Sequence, residues 1–350
     1  MIFGILKIML SNIIDNLISD LKSRQQDVLI GRFGLDDGEK KTLASIGKKY
    51  NITRERVRQL EVEALSAVQN RLDGIEKSIN QIKELIAEHL GNVGGLQRDD
   101  LLIPELKHIL KDDNLHHWYL RFFSEVVGEP LYYPVNDNFH HFWYLDKKSF
   151  QSANHFISDL ENLIADKKEE IIVHGQFYDY FVKITKIHRL PHHIGLNYLS
   201  ASKKFAINHL GDFGLSHWKE ISPKTAKDKT YLILKKQKKP MHFTEIANAI
   251  NNGGFSRKKA LPQTIHNELI KDKRFVLVGR GIYGLVEHGF KPGVASDVIR
   301  AVLKEKGPLD LKNIVDEVLK QRQLKENTIV LNLNNKNRFK KLADGKYYIK

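Results

Sequence analysis

The tightest constraint on this chain is the run TLASIGKKYNITRERVRQLEVEAL at residues 42–65. Leu43, Ala44 and Ile46 give a short helix one apolar side, and Tyr50-Asn51-Ile52 interrupts it. Asparagine enters the left-handed backbone region at low cost, so Asn51 suits a tight corner. Thr53 then offers a hydroxyl to cap a second helix. Along that helix Val57, Leu60, Ala64 and Leu65 recur at helical spacing, with Arg54, Glu55, Arg58 and Gln59 on the opposite side. Two short helices across such a corner make a helix-turn-helix. Arg, Gln and Glu are side chains that reach base edges in a major groove. The same stripe would also serve as a solvated charged face.

Two ungapped signatures, RFGLDDGE at 32–39 and TRERVRQLE at 53–61, occur in order. With the segment from Arg24 to Leu65 they resemble region 4 of the bacterial sigma-70 family, over roughly fifty residues. The resemblance implies that the second helix reads a promoter −35-type element. It carries base contact to Arg54, Glu55 and Gln59, phosphate contact to Arg58, and a backbone-contacting arginine to Arg24. Thr53 opens the same helix. It also implies core RNA polymerase as a partner. Gln25 and Gln26 depart from the charge often found there, and no counterpart of the sigma clamp helices or strand-melting region is found.

Composition sets the outer bounds. A chain of 350 residues suffices for about two to four domains. The net charge of +14 favours a polyanionic partner, because each neutralised phosphate releases condensed counterions. Membrane surfaces and acidic proteins attract such a charge too. The absence of cysteine excludes disulfides and thiolate metal sites and fits a reducing cytoplasm. The apolar start at 1–10 is too short to span a bilayer, which leaves a helix start or a stretch upstream of initiation at Met9.

Ile13, Leu17, Ile18 and Leu21 predict a helix ahead of the sigma-like unit, which takes residues 1–72. Leu72, Ile75, Ile79, Ile82 and Ile86 then form a short seam, better suited to packing within the chain than to a homodimer. Glycines at 91, 94 and 95 mark a linker that closes a segment at 73–95. Helices at 101–111 and 115–127 with strands at 131–133 and 142–145 outline a winged helix over 96–148. Over 149–223 a connecting helix at 150–167 leads to a similar outline at 175–221, with helices at 177–184 and 191–198 and a strand at 204–209. The doubled histidines at 116–117, 140–141 and 192–193 lack the i, i+4 spacing of a zinc helix, so no metal is expected. No catalytic constellation or cofactor loop stands out, and the chain reads as a non-enzyme.

The last third repeats one unit. A shift of 64 places Thr264 on Thr328, Leu269 on Leu333, Arg274-Phe275 on Arg338-Phe339 and Tyr283 on Tyr347, while Pro240 meets Pro308 at a shift of 68. The first copy, 224–290, predicts helices from Thr230, from Phe243 with Thr244 as cap, and through Thr264, followed by a hairpin around Gly279-Arg280-Gly281. It resembles the HARE helix-turn-helix domain, as in the delta subunit of bacterial RNA polymerase. Arg280 at the wing tip suits phosphate or a minor groove, or is simply solvated. The second copy, 291–350, carries Ala343-Asp344-Gly345 instead. The expectation is a mainly α chain of tandem helix-turn-helix and winged-helix units with small β-hairpin wings. Its leading function is promoter DNA binding. A protein-binding adaptor and a DNA-binding component of a restriction or modification system are the alternatives.

Overall fold

The structure is a computed structural model and describes residues 9–255, 258–290, 293–322 and 324–350. The expectations for residues 1–8 lie outside these. Helices α1 (Leu10–Ser19) and α2 (Ser23–Phe33) precede the corner pair α3 (Leu43–Tyr50) and α4 (Arg54–Gln69). A 3-10 turn (Leu72–Ile75) leads into α5 (Glu76–Asn92), β1 (Leu96–Arg98), α6 (Asp99–Leu110), α7 (His117–Val127), β2 (Leu131–Tyr133) and β3 (Phe142–Tyr144). Next come α8 (Lys147–Ile164), α9 (Lys168–His174), α10 (Phe177–Ile187), α11 (His192–Ala201) and the strand pair β4 (Phe205–Ile207) and β5 (Phe213–Leu215). The chain continues through α12 (Ala226–Gln237), β6 (Met241–His242), α13 (Phe243–Asn252), α14 (Pro262–Lys271), β7 (Phe275–Gly279) and β8 (Ile282–Leu285). It closes with α15 (Ala295–Lys306), α16 (Leu311–Leu319), α17 (Glu326–Leu333), β9 (Phe339–Lys341) and β10 (Tyr347–Ile349).

The fold is mainly α with small antiparallel sheets, as the periodicities predict. Two sheets share one strand order, β1-β3-β2 and β6-β8-β7, and each follows the element sequence helix, strand, helix, helix, strand, strand. These are winged helices. The one at 76–144 gains a first strand, β1, that alternation over three residues is too short to reveal. None of the described helices is long and apolar enough to cross a membrane.

The chain divides into two compact units: 1–166 with 178–205, and 167–177 with 206–350. In the first unit one continuous core runs from Leu10 and Ile14 of α1, through Leu29 and Phe33 of α2 and Ala64 and Val68 of α4, to Ile82, Ile86, Leu106, Phe122 and Trp143. The boundaries expected after residues 72 and 95 therefore cut through a shared core. Polar links cross the same lines. The fully buried carboxylate of Asp112 accepts both the N–H and the hydroxyl of Ser11 at 2.7 Å. Tyr119 donates to Asp15 at 2.9 Å, and the Trp118 indole donates to the Gly38 carbonyl at 2.6 Å. The isoleucine seam is buried inside this core rather than offered to a second copy, although Leu72 and Ile75 belong to the 3-10 turn and not to a continuous helix.

The glycines read as a linker form a packed corner. Gly95 donates to the Leu90 carbonyl at 2.7 Å, and Tyr198 donates to the Gly94 carbonyl at 2.8 Å. Gly94 has φ +88°, and a Cβ there would lie 2.4 Å from Ile194 Cγ2. Residues 149–223 are likewise not one self-contained domain, because they divide between the two units.

In the second unit the two C-terminal winged helices follow one another. His242, not the expected Thr244, occupies the N-cap of α13; its Nδ1 accepts from Thr244 N–H at 3.3 Å, and Glu245 accepts from His242 N–H at 3.1 Å. The second copy has its own core of Val298, Ile299, Val302, Leu303, Ile314, Val318, Ile329, Leu333 and Phe339. Its first strand shrinks to a single bridge between Leu309 and Tyr347.

Candidate nucleic-acid interface

The corner pair is held by a core of Val28, Ile46, Val57 and Leu60, joined by Leu43, Tyr50 and Ile52. Thr42 caps α3 by accepting from Ser45 N–H at 3.1 Å, and Thr53 caps α4 by accepting from Arg56 N–H at 3.1 Å. Between them Asn51 takes the left-handed conformation at φ 52° and ψ 45°. The approach is close: a Cβ on Gly47 would sit 2.7 Å from the Ile52 carbonyl oxygen, so only glycine fits without moving the backbone. Arg32 clamps α2 to α4, its Nε donating to Glu61 at 3.0 Å and its Nη1 to the Lys41 carbonyl at 2.8 Å.

This framework turns Val57, Leu60, Ala64 and Val68 of α4 inward and leaves Arg54, Glu55, Arg58 and Gln59 exposed along one edge. Glu55 and Arg58 form a forked pair, Nη2 to Oε1 at 2.7 Å and Nε to Oε2 at 3.0 Å. The guanidinium bonded to it holds the Glu55 carboxyl below its ordinary range, and Glu55 in turn raises Arg58. An edge built this way presents donors and an acceptor in fixed order, the requirement for reading base edges.

Two further residues share that edge. Arg56 donates to Gln59 Oε1 at 3.1 Å and to Glu63 at 3.3 Å, which orients the Gln59 amide. Val62 is 51% exposed one turn past Arg58 and offers the apolar tip that suits a thymine methyl. Helical spacing puts Val62 on the outward side, so the signal was present, but an aliphatic residue reads as core by default.

Arg24 lies exposed in the first turn of α2, and Gln26 there is structural, donating to the carbonyls of Ser19 at 2.7 Å and Leu21 at 2.8 Å. Exposed Lys48 and Lys49 close α3, the helix that crosses the phosphate backbone in helix-turn-helix docking. Arg280, in the second unit, is exposed at the turn between β7 and β8. Histidines of two of the pairs bond to protein groups. His116 accepts from Trp118 N–H, His117 Nδ1 lies 2.6 Å from Asp99, and His193 lies 3.2 Å from the Asn92 carbonyl. Among the described residues no three His, Asp or Glu side chains gather as a metal site.

Comparison with known proteins picks out two separate segments of the chain. Residues 17–70 match the sigma-70 region 4 family, and residues 224–287 match the HARE-HTH family, the helix-turn-helix domain of ASXL and restriction endonucleases. Over 52 residues the chain is 52% identical to RNA polymerase sigma factor SigA of Microcystis aeruginosa, covering 15% of this chain and 12% of that protein. Over 64 residues it is 41% identical to SigA of Lactococcus lactis subsp. cremoris, covering 18% of each. Over 49 residues it is 51% identical to SigA of Clostridium acetobutylicum, covering 14% of this chain and 13% of that protein. The chain thus spans less than a fifth of the curated relatives it matches. It joins a sigma-70 region 4 unit to a HARE-type helix-turn-helix unit.

Proposed function

We propose that the chain is a DNA-binding transcription protein that reads a −35-type promoter element through α4. The observation that carries this reading is the exposed edge Arg54, Glu55, Arg58 and Gln59 on a helix whose other side is fixed by two cores. Lys48, Lys49 and Arg24 supply phosphate contacts that set register, and the base contacts supply discrimination. Burial favours this reading over an adaptor role for the same unit. The apolar faces of α2 and α4 are covered by the chain's own α1 and α7, which leaves the polar edge as the surface on offer. Core RNA polymerase is the natural second partner, and an accessory sigma-like factor is the role that matches a region 4 unit joined to winged helices. In this reading the chain carries out no bond chemistry of its own.

The test is selection of bound duplexes from a random pool, with and without core polymerase. Recovery of a short consensus that Arg54→Ala with Gln59→Ala abolishes is the expected result. A pool that stays random under both conditions would sink the proposal.

A further inference from the structure

The two C-terminal winged helices treat one corner of their fold differently. Their first helices align by their caps: Asp228 accepts from Thr225 N–H, Asp297 accepts from Val294 N–H, and each helix ends on a positive-φ residue, Lys238 or Gly307. This alignment, a shift of 69, places Arg300 on Tyr231 and Lys304 on Lys235. The last strands align by equivalent hydrogen bonds, Val286 N–H to the Arg274 carbonyl and Lys350 N–H to the Arg338 carbonyl. Tyr348 therefore takes the place of Gly284, and Ile349 that of Leu285.

In the first copy the chain fills this corner itself. Lys235, buried to 5% exposure, donates to Glu169 at 2.6 Å and lies 3.9 Å from Glu287. Tyr231 donates to Glu287 at 2.8 Å. The Phe290 ring lies so close to Gly284 that a Cβ there would meet it at 2.6 Å. Two carboxylates and an aromatic ring occupy the site.

In the second copy the same corner is an open groove of about 550 Å³. Arg300 and Lys304 line one wall, with Tyr348, Ile349 and Lys350 along the other. Asp297 is the one side-chain carboxylate among the described lining residues, and Arg338 engages it at 3.2 Å. The groove is therefore cationic, with half-buried apolar side chains in its floor.

We infer that this groove binds an acidic segment of a partner protein, carboxylates on Arg300, Lys304 and Lys350 and an aromatic side chain against Tyr348 and Ile349. Charge complementarity selects an anion, and the occupants of the equivalent corner indicate which kind. A duplex offers phosphates but keeps its base rings stacked inside, so none is free to cover the apolar floor. The proposal is independent of DNA reading by α4.

The test uses the full chain in fluorescence polarisation with three labelled probes. They are a short peptide of glutamates around a phenylalanine, the same peptide with lysines for the glutamates, and a short DNA duplex. The acidic peptide should bind and the lysine peptide should not. Arg300→Glu with Lys304→Glu should weaken peptide binding about tenfold or more, through lost attraction plus added repulsion. Tyr348→Ala, which changes no charge, should weaken it severalfold, while duplex binding holds in both variants and circular dichroism shows the fold intact. Equal binding of the two peptides, or acidic-peptide binding indifferent to these variants, would overturn the proposal. Loss of duplex affinity alone in the charge-reversal variant would overturn it too, making the cations a nucleic-acid surface.

Discussion

Helices α4 and α7 hold the same position in two related corners, each being the helix that such a corner offers to a ligand. Only α4 is free to do so. Its inward side needs four aliphatic residues, and its outward edge is polar. In α7, by contrast, Tyr119, Leu120, Phe122, Phe123 and Val126 are buried, and Phe122 meets Phe33 of α2 edge-on at 5.1 Å. The winged helix at 76–144 has turned its recognition helix into the floor beneath the sigma-like unit. Topology alone thus says little about nucleic-acid contact, and the side chains that remain exposed decide it.

Breaking the buried member should have the largest effect. Phe122→Ala is expected to cost about 3–5 kcal/mol, the range for a large aromatic lost from a packed core. Because the core is shared, chemical denaturation should show α1 to α7 unfolding in one transition at lower denaturant. Two separate transitions would show that the corner pair and the winged helix are independent.

Breaking the exposed member should leave stability alone and alter recognition. Arg54→Ala with Gln59→Ala should remove about 1–3 kcal/mol of discrimination per contacted base while retaining non-specific affinity, read by titrating cognate and scrambled duplexes. Equal loss on both duplexes would mean that α4 contacts only phosphate.

A smaller effect comes from pH. Burial would push the Asp99 carboxyl up, but His117 and the Trp143 indole, at 2.6 and 2.7 Å, more than offset this and hold it below its ordinary value. A depressed carboxyl adds stability above its unfolded pKa of about 3.9, and that stability is lost as pH falls through the folded value. The stability gap between the wild type and Asp99→Asn should therefore narrow below about pH 4. A gap constant with pH would assign the anchoring of α7 to packing alone.

The smallest effect belongs to the wing of the second unit. Arg280→Ala should lower the slope of log affinity against log salt by about one, evenly across sequences. An unchanged slope would leave the wing tip outside the interface.

Much of this was legible in the sequence because it is local. Asn51 and Thr53 fix the corner and cap by their own chemistry, and the α4 edge follows from a 3.6-residue period. The repeat at the C-terminus was visible because the same residues recur in order. What stayed hidden depends on distant partners. Nothing near Gly94 and Gly95 distinguishes a loose connection from a corner that must pass beneath Ile194 and Tyr198. The aromatic run of α7 is equally compatible with a free wing and with a shared core, and only Phe33, Asp15 and Gly38 settle which. Arg56 and Val62 escape notice for a different reason: residue type suggests a solvated cation and a core aliphatic, and only the direction each one faces places them on the edge.

The missing side chain at residue 47 has a consequence for how such a protein can diversify. If α4 reads DNA as proposed, new target sequences would arise by rewriting Arg54, Glu55, Arg58 and Gln59, which face outward, while Val57 between them stays in the core. The pivot beneath them tolerates no such editing, because one added methyl would meet the Ile52 carbonyl oxygen at 2.7 Å and force the corner open.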